Sequence, residues 1–173
     1  LIVNKKRKGN IFFKVAFFAP VVMSLVVISI LWLYLLNPNN GLLNALLEKV
    51  GIAKQPFLTS PKQAMYAIVF VSAWQGAGYQ MLLFLGGLQN ILLKPTALFV
   101  LLTTLISAFK LLVQPMVMTQ GGPANSTITM VYYIYRKGFT DRLVGYSSSI
   151  ALVFTTLIGV ISLVQRRVLK EDE

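Results

Sequence analysis

Residues 92–114 read LLKPTALFVLLTTLISAFKLLVQ. Past Lys94, the run holds a single charge, Lys110. A helix rises about 1.5 Å per residue, so roughly 20 such residues cross a hydrocarbon core of about 30 Å. Thr103, Ser107, Lys110 and Gln114 recur at the three- and four-residue intervals of one helix face. We therefore read Leu92 to Val113 as a membrane span bearing a polar stripe.

Three more stretches have the same character: Ile11 to Leu36, Ala64 to Leu88 and Tyr146 to Val164. The expected fold is all-α, a polytopic transmembrane helix bundle with four visible spans. Composition agrees. The 173 residues are 56% hydrophobic and only 12% charged, where a soluble domain carries about 25% charged residues. The formal charge of +11 does not point to nucleic acid, because the cations flank the apolar runs instead of clustering along a groove.

Lys5, Lys6, Arg7, Lys8 and Lys14 precede the first span, Lys94 lies between the second and third, and Arg166, Arg167 and Lys170 follow the fourth. The other side carries Lys49, Lys54, Lys62, Arg136, Lys137 and Arg142, spread through two long loops. The denser cations predict that both visible termini are cytoplasmic. The chain has no Cys and no His, which excludes disulfides, thiolate metal sites and the commonest general base. The five acids, Glu48, Asp141, Glu171, Asp172 and Glu173, all lie outside the spans. That argues against a proton relay of buried carboxylates. No metal site and no catalytic residue are expected.

The first long loop opens with the turn cluster Asn37-Pro38-Asn39-Asn40-Gly41. Leu42, Leu43, Ala45, Leu46, Leu47 and Val50 then predict a short amphipathic helix on the outer membrane face. In the second, Gly121-Gly122-Pro123 breaks the chain, and Ser126 or Thr127 is expected to cap a helix through Tyr135. Asn125-Ser126-Thr127 matches a glycosylation sequon and is read as chance. Pro20 predicts a static kink in the first span.

Polar stripes also mark the other spans: Ser72, Gln75, Gly76, Tyr79, Gly86 and Gln89 in the second, and Ser148, Thr155, Gly159 and Ser162 in the fourth. Small and hydroxyl residues serve close helix packing, which suits Gly86, Thr155, Gly159 and Ser162. Gln75, Tyr79, Ser107, Lys110 and Gln114 are larger and more polar than packing requires, and suit a path for a hydrophilic substrate. Lys110 is the most expensive of them, at about 2.5–3.5 kcal/mol for a charge at a membrane helix centre. It either snorkels to the interface or faces a cavity.

Phe17-Phe18-Ala19-Pro20, Trp32, Asn37-Pro38, Gly41-Leu42-Leu43-Asn44, Ala73-Trp74-Gln75-Gly76-Ala77-Gly78-Tyr79, Leu88-Gln89-Asn90-Ile91 and the loop Thr119 to Thr127 with Val131-Tyr132-Tyr133-Ile134-Tyr135 resemble a known family. It is the permease subunits of bacterial carbohydrate-uptake ABC transporters, of the maltose and glycerol-3-phosphate type. The resemblance covers nearly the whole chain. It implies a single permease domain over residues 1–173 that moves a sugar or oligosaccharide. It also implies a second homologous permease, a cytoplasmic ATPase dimer holding ATP and Mg, and an extracellular or lipid-anchored sugar-binding protein. The chain itself would bind no nucleotide, and it has no phosphate-binding Gly-rich loop. Carried over by position, Gly76 and Tyr79 would lie beside the sugar, with Thr104 and Lys110 in the corresponding stretch of the next span; with the stripe residues Gln75, Ser107 and Gln114 they make up the expected substrate path. Gly121, Gly122 and Pro123 would approach the binding protein.

The family has six or more spans, so two are expected ahead of Leu1. It also has a cytoplasmic coupling loop for the ATPase, and here Ile91 runs straight into Leu92 where that loop would stand. Two other function classes fit the spans and stripes alone. One is a passive channel or structural membrane subunit. The other is a membrane enzyme with Ser107 and Lys110 as nucleophile and base.

Overall fold

The computed structural model describes residues 18–89 and 93–171. Among the described residues the protein is all-helical. A turn of helix at 18–22 precedes α1 (Leu25–Leu35), α2 (Leu42–Lys49), a 3-10 turn (Phe57–Thr59), α3 (Ala64–Gln89), α4 (Leu93–Phe109), α5 (Val113–Met118), α6 (Met130–Tyr135), a π turn (Arg136–Thr140) and α7 (Val144–Glu171). Hydrocarbon offers no partner to a backbone amide, so apolar runs of this length pair their amides internally as helices.

Among the described residues, three stretches are long and apolar enough to cross a membrane: Ala64–Phe84, Thr96–Met118 and Val144–Arg167. The expected first span differs from these. Its described part is interrupted at Met23 and Ser24, and only the 11 residues of α1 follow as regular helix. The break falls after Pro20, not at it. Pro20 is fully buried, while Ser24 takes extended backbone angles and its hydroxyl caps the amide of Val26.

The third span is broken as well. α4 ends at Phe109, residues 110–112 leave the helical path, and α5 resumes at Val113. The Thr129 hydroxyl donates to the carbonyl of Leu111 (2.5 Å), which satisfies one acceptor within the break. The expected junction at Ile91–Leu92 lies outside the described residues.

The core sits at the end of the bundle that carries the two long loops. Ile28, Leu36, Leu58, Ile68, Val71 and Met118 are buried together, with Trp32, Leu33, Leu43, Trp74 and Leu111 packed against them. Trp32 meets Phe70 and Trp74 edge to face, at 5.5 and 5.6 Å between ring centres. Thus α1 packs on α5, α3 on α4, and α4 on α7, the last pair joined by Phe109 and Phe154 at 6.1 Å. Almost nothing in the α4 and α7 spans is buried within the chain.

Candidate permeation face and its outer cleft

Asn44, wholly buried, works as a clamp. Its amide donates to the carbonyls of Pro38 (3.0 Å) and Gln55 (2.9 Å), and its carbonyl accepts the Gln55 amide (2.9 Å). Gln63 extends the network to the side chain of Gln55 and the amide of Phe57, at 3.0 Å each. Gly41 is needed where α2 begins, since a Cβ there would strike the carbonyls of Asn37 and Leu35.

The second loop is equally fixed. Thr127 is fully buried. Its hydroxyl donates to the Gly122 carbonyl (2.9 Å) and lies 2.7 Å from that of Thr119. Gly121 takes φ +83, and a Cβ would press on Ile128 and Tyr132. Thr127 is therefore a structural residue. The cap of α6 is Thr129, whose hydroxyl accepts from the Tyr132 amide, not Ser126 or Thr127 as expected. Either earlier cap would start the helix inside the tight turn that Gly121 and Thr127 close.

Between the loops lies a cleft of about 490 Å³, lined by Asn37, Pro38, Thr59, Thr119, Gln120, Gly122 and Pro123 over a floor of Leu33, Leu58 and Met118. Two of the three expected loop residues, Gly122 and Pro123, line this cleft, and Gly121 is buried behind them.

The stripe residues in the spans separate into two groups. Gln75 and Gln114 come together, with the Gln114 amide donating to the Gln75 carbonyl oxygen at 3.4 Å; Gln114 is buried. Gly76 sits half-buried beside them on α3. One to two turns along, Gln80 donates to the Thr104 hydroxyl at 2.8 Å, a contact the sequence did not single out. The rest lie on the surface of the chain. Tyr79 is 51% exposed, and Thr104, Ser107 and Lys110 are exposed. They line neither the cleft between the loops nor the shallow apolar hollow on α7 between Leu152 and Ile161.

Hydroxyls in the spans turn back on their own helices. Ser72 bonds the Ile68 carbonyl (2.8 Å), Thr104 that of Val100 (2.6 Å) and Ser107 that of Thr103 (2.7 Å). Ser107 therefore donates its proton to backbone in this arrangement, not to Lys110. Gly86 and Gly159, read as packing positions, meet nothing within 4 Å. Ser148 and Thr155 are exposed, whereas Ser162 Oγ is buried without a partner. Among the described residues no cluster of metal-ligating side chains forms.

No family model matches the chain. Individual relatives do. A probable ABC transporter permease of Bacillus subtilis, YurN, is 30% identical over 191 residues, spanning 95% of this chain and 65% of the relative. The chain is thus similar to ABC transporter permeases over nearly its whole length. The sn-glycerol-3-phosphate transport system permease UgpA of Shigella flexneri is 29% identical over 92% of this chain and 63% of its own length. The chain thus spans just under two thirds of these relatives. Among solved structures, a bacterial ABC transporter involved in the import of the acidic polysaccharide alginate aligns with a TM-score of 0.77 at 17% identity, covering 98% of this chain and 69% of that one. A second, in complex with an alginate pentasaccharide-bound periplasmic protein, aligns at 0.66 and 19%. These share the fold, and the chain is a multi-pass membrane protein that is all-helical among the described residues. The YurN match runs over 191 residues against 173 here, so the relative holds residues within the matched stretch that this chain lacks.

Proposed function

We propose that this chain is the membrane half of an ATP-driven importer that moves a sugar or oligosaccharide into a bacterial cytoplasm. The observation that carries the reading is the exposed face of Tyr79, Thr104, Ser107 and Lys110. Lipid accepts the Tyr79 hydroxyl and the Lys110 ammonium only at a cost of several kcal/mol each when unsatisfied, while Thr104 and Ser107 already bond carbonyls of their own helix and keep lone pairs for a solute. A second, homologous permease closing over this face would convert it into a water-filled path. The Gln75–Gln114 pair and Gly76 would form its rear wall.

Hydroxyls, amides and one aromatic ring suit a sugar, which offers both hydroxyls and apolar C–H faces. The names of the relatives, one for glycerol-3-phosphate and one for alginate, support a carbohydrate-related cargo. In this reading the long-loop end faces outward, both termini are cytoplasmic, and a sugar-loaded binding protein docks over the cleft at Gly122 and Pro123. ATP and Mg act on a separate ATPase dimer, and this chain performs no catalysis. The residues that the relatives hold in excess support a coupling loop missing at Ile91–Leu92, the segment through which an ATPase would engage.

The test is uptake by the full-length protein assembled with its partners in proteoliposomes. Tyr79→Ala and Lys110→Met should each reduce or re-select transport while the complex still assembles. ATPase activity should rise only with loaded binding protein. Unchanged uptake and substrate range for both variants would reduce the stripe to helix packing.

A further inference from the structure

We propose that α2 is an interfacial foot, lying in the lipid leaflet on the long-loop side with Leu42, Leu46 and Val50 immersed. The apolar arc of α2 is wider than the protein uses. Leu43 packs against the core, yet Leu42, Leu46 and Val50, at i, i+4 and i+8, remain 60%, 50% and 76% exposed. The helix cannot roll to bury them. Asn44 holds it by bonds to Pro38 and Gln55, which fix its rotation with the apolar stripe outward.

Three observations select lipid as the occupant. First, exposed tyrosines stand at the long-loop ends of α1, α3 and α7: Tyr34, Tyr66 and Tyr146. Tyrosine concentrates where hydrocarbon meets headgroups, so they mark that boundary, and α2 begins seven residues beyond the end of α1. Second, α1, which leads into α2, is itself apolar on its surface: Val26, Val27, Ile30 and Leu31 are exposed. Third, the charges fit. Lys49, Lys54 and Lys62 are exposed around α2, and the one nearby acid, Glu48, pairs with Lys54 at 3.4 Å. The surplus is positive, as anionic headgroups favour, and helices of this kind sink roughly 5–10 Å into the interface. The foot would brace the loop whose Asn37, Pro38 and Thr59 wall the cleft. This inference stands whatever cargo is carried.

The absence of cysteine makes the test direct. Single cysteines replace Leu42, Leu46, Glu48 and Val50 in the full-length protein, which is spin-labelled and assembled with its partner subunits. The complexes are reconstituted in vesicles of phosphatidylethanolamine and phosphatidylglycerol. Collision rates with oxygen and with a water-soluble nickel chelate are then compared. Oxygen should exceed the chelate several-fold at 42, 46 and 50, and the order should reverse at 48. Chelate dominance at all four positions would overturn the proposal. So would low rates for both reagents along the stripe, which would mean that protein, either a partner subunit or a second copy, covers it.

Discussion

The long-loop end and the spans α4 and α7 handle polar groups in opposite ways. At the long-loop end, Asn44 and Thr127 are fully buried and bonded across the sequence, to residues up to eleven positions away. In the spans, Thr103, Ser107, Ser149 and Thr156 bond the carbonyl four residues back and otherwise face outward. A group bonded across the fold is part of what holds the fold. A group bonded to its own helix holds nothing in place and is free for another subunit or a solute. The difference predicts that stability is concentrated at one end of this chain and transport along the exposed face.

Asn44→Ala gives the largest effect. It strips the Gln55 amide and carbonyl and the Pro38 carbonyl of their partner in a buried site. Each such orphan costs about 1–3 kcal/mol, so the loss should total several kcal/mol, read as a lowered thermal midpoint in nanodiscs or as lost expression. Thr127→Val comes next, at about 1–3 kcal/mol, because the Gly122 carbonyl loses its donor while the shape is kept. A neutral outcome at Asn44 would break the comparison at its root.

The spans should answer differently. Ser107→Ala leaves a carbonyl already used by its own helix, so stability should change by less than about 0.5 kcal/mol. Uptake by the assembled complex should nevertheless fall, and a melting curve beside an uptake assay on the same preparation separates the two. A drop in midpoint comparable to that of Thr127→Val would place Ser107 among the structural groups and remove it from the path.

How much of this was legible in the sequence follows the same division. The spans were legible because an apolar run needs only length and period to declare itself, and Ala64 to Leu88 lies within a residue of the observed α3. The stripe was legible because its spacing is local. The clamp was not. Asn44 reads as one polar residue in an amphipathic turn, and nothing local announces that Gln55 will be its partner. Ser147, bonded to the Ile134 carbonyl at 2.7 Å, was missed for the same reason. The breaks at Met23–Ser24 and at 110–112 carry no proline or glycine within them. The first is capped locally by the hydroxyl of Ser24, and in the second the Leu111 carbonyl is met by Thr129 from 18 residues away. The helical spacing leads one to expect Ser72, Gln75 and Tyr79 to face Ser107, Lys110 and Gln114 around a cavity; of these the structure brings Gln75 and Gln114 together, and a path requires a second surface.

The smallest expected effect concerns the ion pair at the long-loop end, and its smallness sharpens the comparison. Lys137 and Asp141 meet at 2.7 Å on one face of the π turn, with 25% and 35% of their side chains exposed. The hydrogen bond to Asp141, with its charge, raises the Lys137 pKa, and the hydrogen bond from Lys137 lowers that of Asp141. For a depressed carboxylate, the contribution is present above its unfolded pKa and fades as pH falls through the folded one. For a raised ammonium, it is present below its unfolded value and fades as pH rises through the folded one. The pair is therefore at full strength from above the ordinary carboxylate range up to near pH 10.5, and flat between. An ion pair this exposed to water is screened by salt and by solvent. Asp141→Asn should thus shift the thermal midpoint at pH 7 too little to resolve, and wild type and variant should coincide in about 1 M salt, where the Debye length is about 3 Å. The measurement is a pair of melting curves at low and high salt, repeated below the carboxylate range. A large loss at pH 7 that vanishes in salt would mean that surface charge, and not Asn44 and Thr127, holds this end together.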